Sequence, residues 1–275
     1  MDLPAVYKHE FDFTEQDFQL VQKLIYDHAG ICLNDAKKNL VYSRLSRRLR
    51  AHNLNNFSAY LEFLAKNKNE WQLFINALTT NLTSFFREPY HFPILAEHIK
   101  HLNAADPLAL WSCGAATGEE PYSMAMTMVE LFGSYFPPIR IIATDIDTQA
   151  LDQAKAGIYS MDKVDMLTPN QLRPFFLKGK DKNEGLVKIR SELQNIVTFR
   201  QVNLLDDYWP VRGPFAAIFC RNVMIYLDKK SQLAVLERFV PLLAPCGLLF
   251  VGHSENVVLM SDSFKLHSRT VYELK

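Results

Sequence analysis

LWSCGAATGEEPYS, residues 110–123, is the stretch on which the fold turns. An apolar run enters a turn with two glycines, Gly114 and Gly118, and a helix is expected to follow over 119–132. A strand, a glycine turn and a helix in that order place a ligand at the strand's carboxyl end. A phosphate loop needs G-x-x-x-x-G-K-[ST], and the lysine is absent. A dinucleotide loop needs G-x-G-x-x-G, and the order here is G-A-A-T-G. Glu119 and Glu120 open the helix instead, where they oppose the pyrophosphate that a helix N-terminus would otherwise favour. S-adenosylmethionine suits such a loop better: it has an adenosine, no phosphate, a cationic sulfonium and an ammonium. Acids in a first helical turn also complement the helix dipole, so the loop alone leaves both readings open.

Outward from the loop, strand and helix signals alternate. IRIIATD is a strand followed by a helix over 147–156; NIVTFRQVNL and FAAIFCRN are strands; then come a helix over 229–243, the strand GLLFVGH and a last strand around RTVYEL. This alternation predicts an α/β domain with a mostly parallel sheet covered on both faces, of the Rossmann-like type. Asp145 ends the second strand, where an acid can accept both ribose hydroxyls of an adenosine; Asp147 reads as the next helix's N-cap. Asn203 and Leu204 follow a further strand, on the side where an adenine edge would lie. Arg221, Asn222 and Tyr226 follow the next. Methyltransferases of base amino groups often carry N/D-P-P-Y at that point, and R-N-V-M stands here instead. The pair Pro245-Cys246 sits in a turn before a strand and reads as structural.

The rest of the chain frames this domain. Its 275 residues are 48% hydrophobic with zero formal net charge, so no global field draws it to nucleic acid or to a membrane surface. No apolar run approaches the roughly 18 residues of a membrane span. MDLPAVYKHEFDF lacks the character of a secretory leader, and the four dispersed cysteines suit free thiols, so a cytoplasmic chain without a structural metal is expected. Residues 12–77 contain one glycine and no proline, and helices are expected over 14–29, 35–51, 57–66 and 69–78, with Thr14 and Ser58 as N-cap signals. Pro89 is expected to open a helix over 90–101. The domains are therefore drawn as an all-α domain over 1–78, a linker over 79–89 that contributes to the cofactor site, and the α/β domain over 90–275. A small antiparallel β insertion is expected at about 168–197, around the charged turn KGKDKNEG.

TTNLTSFFREPYHF (79–92), WSCGAATGEEPYSMAM (111–126), ATDIDTQALDQAKAGIY (143–159), VNLL (202–205), FCRNVMIY (219–226) and LLAPCGLLFVGHSEN (242–256), in this order, resemble the CheR family of chemotaxis-receptor glutamate methyltransferases. The resemblance spans nearly the whole chain, including the helical domain and the hairpin. It implies methyl transfer from S-adenosylmethionine, with S-adenosylhomocysteine as product, to receptor glutamates as methyl esters. Carried over by position, Asn81, Thr83 and Arg87 face the cofactor, with Gly114 in the loop and Glu120 as the contacting acid. Asp145 holds the ribose, Asn203 and Leu204 meet the adenine, and Arg221 and Asn222 line the neighbouring strand end. Arg87 and Tyr226 are the pair nearest the transferred methyl. A catalytically silent cofactor-binding module and a nucleic-acid methyltransferase are the alternatives. Intact Arg87, Asp145 and Tyr226 speak against the first. Zero net charge and the missing N/D-P-P-Y speak against the second.

Residues 36–50 carry six basic and no acidic side chains. At helical spacing Lys37, Arg44, Arg47 and Arg48 share a face, opposite Val41, Tyr42, Leu45 and Leu49. By composition this is a solvated face. By resemblance it docks on acidic cytoplasmic helices of transmembrane chemoreceptors. In some family members the hairpin pairs with a receptor's C-terminal tail peptide, and here that role stands beside a plain surface excursion. A monomer is expected. His98 and His101 read as surface histidines, His253 as pocket-shaping or structural, Cys113 and Cys220 as small buried residues. Met124, Met126 and Met128 read as core.

Overall fold

The computed structural model describes residues 10–102 and 107–275; residues 1–9 of the N-terminal stretch weighed for a leader lie outside them. The chain forms two compact units, Met1–Thr80 and Asn81–Lys275. Among the described residues no helix is long and apolar enough to cross a membrane.

The first unit contains α1 (Glu15–Ala29), α2 (Lys38–Ala51), α3 (Phe57–Lys66) and α4 (Lys68–Leu78). Thr14 and Asp17 close a reciprocal capping box on α1, and Gly30 ends it in the left-handed region at φ 66°. On α3 the cap is Asn56, which accepts from the Ala59 N–H; Ser58, expected to serve there, is already inside the helix. Phe18, Val21 and Ile25 of α1 and Val41, Leu45 and Leu49 of α2 are buried, with Phe57, Tyr60, Leu64 and Phe74 of α3 and α4. Their i, i+3, i+4 spacing is what makes these stretches helices with one inward face. The inward face also carries one acid, Glu70, which is only 3% exposed. Arg48 donates to both its oxygens at 2.8 Å, Tyr60 donates at 3.0 Å, and His52 lies at 2.9 Å.

The second unit begins with α5 (His91–His101), β1 (Leu108–Ser112), α6 (Glu119–Phe132), β2 (Ile139–Asp145), α7 (Thr148–Ala156) and β3 (Ile158–Ser160). Next come α8 (Pro169–Phe175), β4 (Phe176–Lys178), β5 (Leu186–Ile189), α9 (Ser191–Gln194) and β6 (Val197–Gln201). It closes with β7 (Phe215–Cys220), α10 (Lys229–Phe239), β8 (Leu243–Val251), β9 (Phe264–Ser268) and β10 (Val271–Leu274). Seven strands form one sheet in the order β6-β2-β1-β7-β8-β10-β9. The first five are parallel, and β10 runs antiparallel to both its neighbours. From β1 the chain winds outward through β2 to β6, then returns to lay β7 on the other side of β1. That reversal opens a crevice beyond the carboxyl ends of β1 and β7.

Both faces of the sheet are buried. Leu110, Phe219, Leu248 and Phe250 look to one core, and Trp111, Ile218, Leu249 and Val251 to the other. This explains the unbroken apolar runs of these strands. The small sheet has the order β3-β5-β4, so the expected hairpin recruits a third strand from before residue 168. Helix α10 stops at Phe239, short of the expected 243, because Pro241 lacks the N–H that would continue it.

Candidate active site

Gly114 and Gly118 leave β1 and start α6. Both are required by packing. A Cβ on Gly114 would collide with the Val223 side chain. Gly118 has φ 98°, and a Cβ there would lie 2.8 Å from Ala154 Cβ and 2.9 Å from the Tyr159 hydroxyl. The glycines thus let the loop pack against the β7 exit and α7, as a close helix–strand approach requires.

Asp145 sits where expected. Its Oδ2 accepts from the Ala116 N–H at 2.8 Å and its Oδ1 from the Asp147 N–H at 2.9 Å. The Ile146 N–H bonds to the carboxylate as well, so three backbone donors fix its orientation. Burial raises its pKa to about 6, against the pull of those backbone donors. Asp147 caps α7 through the Gln149 and Ala150 N–H groups, and Asn81 donates to its other oxygen at 2.7 Å. Asn81 therefore works here by tying its segment to the start of α7. Thr83 is half-buried on the same segment.

Glu120 is buried, and its partners are protein groups. Ser112 Oγ donates at 2.8 Å and Arg221 Nη1 lies 3.1 Å away. Burial raises its pKa, and Arg221 opposes that rise. Glu119 is fully buried as well, accepting from Thr117 Oγ1 at 2.6 Å with Lys163 Nζ at 3.5 Å. Arg221, its side chain 1% exposed, also meets Glu88 at 3.3 Å and donates to the Arg87 carbonyl. Asn222 follows at φ 57°, a left-handed conformation secured by its N–H on Glu255. Glu255 also accepts from the Gly252 and Ile225 N–H groups. Asn203 Oδ1 accepts from the Leu205 N–H, and Leu204 is buried beside it.

Arg87 and Tyr226 are sparsely bonded among the described residues. Among the described residues the Arg87 guanidinium makes one hydrogen bond, Nη1 to the Leu82 carbonyl at 2.8 Å. The Tyr226 hydroxyl has no partner among them, and both side chains are half-buried. The two groups attach to the exit of β7, Arg87 through Arg221 and Tyr226 through the turn Met224–Tyr226.

Glu88, His91 and Glu255 were not picked out from sequence. Arg221, Thr270 and Asn222, their partners at the β7 exit and the β9–β10 turn, stand far away in the chain, so no local pattern marks them; the only hint for Glu88 was its place beside Arg87. His91 is fully buried, 3.7 Å from Glu88 and 3.0 Å from Thr270 Oγ1, and burial with the nearby Arg221 charge lowers its pKa to about 4. His98 is not a surface residue: it is half-buried and donates to the Ala216 carbonyl at 3.1 Å. His101 is exposed, as is His253, whose backbone N–H donates to Glu88 at 3.2 Å. Cys113 and Cys220 are buried, as are Met124, Met126 and Met128.

Of the basic face, Lys37 and Arg47 are exposed, whereas Arg44 and Arg48 are half-buried. Arg44 donates to the Leu78 and Thr79 carbonyls and Arg48 is paired with Glu70. Helical spacing alone put all four outside; α4 packs against α2 and claims two of them.

The residues at the switch point fit S-adenosylmethionine. The turn over 113–118 holds no basic side chain for a phosphate, a buried acid waits at the end of β2, and the carboxylates at the β7 exit outnumber the buried guanidinium. Fold and donor set define an S-adenosylmethionine-dependent methyltransferase. Residues 81–273 match the family model described as CheR methyltransferase, SAM binding domain, and residues 16–79 match CheR methyltransferase, all-alpha domain. The chemotaxis protein methyltransferase of Salmonella typhimurium is 51% identical over 263 residues, covering 95% of this chain and 91% of its own. Chemotaxis protein methyltransferase 2 of Pseudomonas aeruginosa is 48% identical over 270 residues, covering 98% and 96%. The Escherichia coli chemotaxis protein methyltransferase is 49% identical over 263 residues, covering 95% and 91%. The chain belongs to the CheR family of chemotaxis methyltransferases.

Proposed function

We propose that this protein methylates glutamate side chains of chemoreceptors, forming methyl esters that adjust the receptors' sensory output. The observation that carries the reading is the state of Arg87. Its backbone carbonyl is gripped by Arg221, while most of its guanidinium fork is uncommitted. A fork fixed at its base and open at its end suits a carboxylate.

Bound S-adenosylmethionine supplies an electrophilic methyl group on a cationic sulfur. The chain's own task is positioning. A glutamate with a pKa near 4.3 is already ionised at neutral pH, so no general base is required. Asp145 would hold the ribose, Asn203 and Leu204 the adenine side, and Glu120 with Arg221 the wall at the β7 exit. Arg87 orients the incoming carboxylate, and the Tyr226 hydroxyl fixes its second oxygen. A tighter clamp would lower the oxygen's nucleophilicity, so orientation and exclusion of water carry the rate. The receptor's acidic helices dock through exposed Lys37 and Arg47. A receptor tail peptide would add to the small sheet, whose outer strands β3 and β4 each have one unpaired edge there.

Labelled S-adenosylmethionine incubated with receptor-bearing membranes tests this. The expected product releases labelled methanol in mild alkali, as esters do, and Arg87→Ala slows single-turnover transfer by about 100-fold with cofactor bound. Alkali-stable label, or an unchanged rate in Arg87→Ala and Tyr226→Phe, would overturn it.

A further inference from the structure

We propose that Glu255 is the positioning residue for Tyr226: its buried carboxylate gathers the backbone N–H groups of the turn that follows β7, and so fixes the place from which the Tyr226 hydroxyl meets the receptor carboxylate. The inference rests on the reading that Tyr226 acts beside the transferred methyl.

The chain leaves β7 at Cys220 and turns through residues 221–225 to reach Tyr226. Beyond the strand the N–H groups of this turn need a partner from elsewhere. Glu255, only 3% exposed, supplies it. Its Oε2 accepts from the Asn222 N–H at 3.0 Å and from the Gly252 N–H at 2.6 Å, and its Oε1 from the Ile225 N–H at 3.3 Å. The Met224 N–H bonds to the carboxylate too. Asn222, Met224 and Ile225 are thus held by one side chain immediately before Tyr226. A carboxylate suits the task, since its two oxygens offer about four lone-pair positions. Burial raises the Glu255 pKa and the four backbone donors oppose that rise. The role is to accept hydrogen bonds and does not depend on a surplus of charge.

The turn needs such a hold. Asn222 has φ 57°, a left-handed conformation that persists only where its surroundings enforce it. The carbonyls of the turn are pinned as well: Gln232 Nε2 of α10 donates to the Met224 carbonyl at 2.8 Å and to the Leu227 carbonyl at 3.0 Å. Tyr226 adds its own N–H on the Val223 carbonyl at 3.1 Å. The exits of β7 and β8 touch, and a Cβ on Gly252 would collide with the Asn222 side chain. The turn after β8 reaches the Arg87 side too, because the His253 N–H donates to Glu88 at 3.2 Å. Residues 252–255 therefore brace the two backbone segments whose side chains, Arg87 and Tyr226, must meet one carboxylate.

Single-turnover methyl transfer to receptor-bearing membranes at saturating S-adenosylmethionine tests this in a double-mutant cycle of Glu255→Gln and Tyr226→Phe. Glu255→Gln keeps the size but turns one acceptor oxygen into a donor that faces backbone N–H groups. It is expected to slow transfer about tenfold, as a displaced reacting group does, and to speed amide exchange at Asn222, Met224 and Ile225. The double variant should be no slower than the slower of the two single variants. If Glu255→Gln fails to fold by circular dichroism, Glu255→Asp, which withdraws the carboxylate by one methylene, takes its place in the cycle. A double variant slowed by the product of the two single effects, or an unchanged rate in the Glu255 variant, would overturn the proposal. An unchanged rate in Tyr226→Phe alone would instead overturn the Tyr226 reading beneath it.

Discussion

Each unit sets an arginine against a buried carboxylate, and the two arrangements work in opposite ways. In the helical unit Arg48 meets one acid, Glu70, whose remaining acceptor capacity goes to Tyr60 and His52. In the methyltransferase unit Arg221 meets two acids and keeps a buried Nε without a partner among the described residues. Proton affinities follow. Burial acts to raise the Glu70 pKa, yet Arg48, His52 and Tyr60 bring it below its ordinary value. For Glu120 burial wins over Arg221 and the pKa is raised. The ionised Glu70 thus stabilises the fold above its unfolded pKa, and that stability is lost as pH falls through the lower folded value. Glu120 favours folding in its protonated form, and that contribution, present below its unfolded pKa, is lost as pH rises through the raised folded value. A balanced, saturated cluster holds helices together.

Removing the arginines separates the two cases most sharply. Arg221→Met leaves two carboxylates uncompensated and is expected to cost about 5 kcal/mol, whereas Arg48→Met leaves Glu70 its other donors and costs about 3 kcal/mol. Thermal unfolding should show the larger drop for Arg221→Met, partly recovered on acidification as the stranded acids protonate. Cofactor affinity should collapse in Arg221→Met and be unchanged in Arg48→Met. Equal effects on stability and binding would erase the distinction.

A smaller effect concerns the acid at the end of β2. With its pKa raised to about 6, Asp145 loses the charge that would accept the ribose hydroxyls as pH falls below that value. Affinity for S-adenosylmethionine should fall by up to about tenfold per pH unit below 6, and the dependence should vanish in Asp145→Asn. Burial of the ionised acid also costs stability as pH rises from about 4 to 6, so the free protein should be slightly more stable on the acidic side of that window. The smallest effect is expected on the outer face of α2. Arg47→Glu should raise the KM for receptor about fivefold by charge repulsion and leave cofactor affinity intact. The same experiment on Arg44 or Arg48 would report lost packing instead.

The sheet was legible because its strands are short apolar runs and its helices keep a 3.6-residue period: the helix 119–132 and the strand ending at Asp145 need nothing beyond local pattern. β9 was invisible, since Lys265, Leu266 and His267 are exposed and break the alternation. The strand-end residues were legible in position, because a doubly wound sheet gathers its carboxyl ends. What they touch was not. Within the protein, Glu120 pairs with Arg221 and Asn81 with Asp147, partners that no local pattern announces. Glu88 and Glu255 draw their meaning from residues beyond any local window. The basic face of α2 misled for the same reason. Periodicity says which side of a helix a residue occupies, and only the packing of α4 says that this side is half covered.

The most direct test of the account is a peptide map of receptor cytoplasmic domains after incubation with this protein and methyl-labelled S-adenosylmethionine. The account predicts alkali-labile label on glutamate side chains of receptor helices, lost in Arg87→Ala. Label on amines, on nucleic acid or on no receptor peptide at all would contradict it.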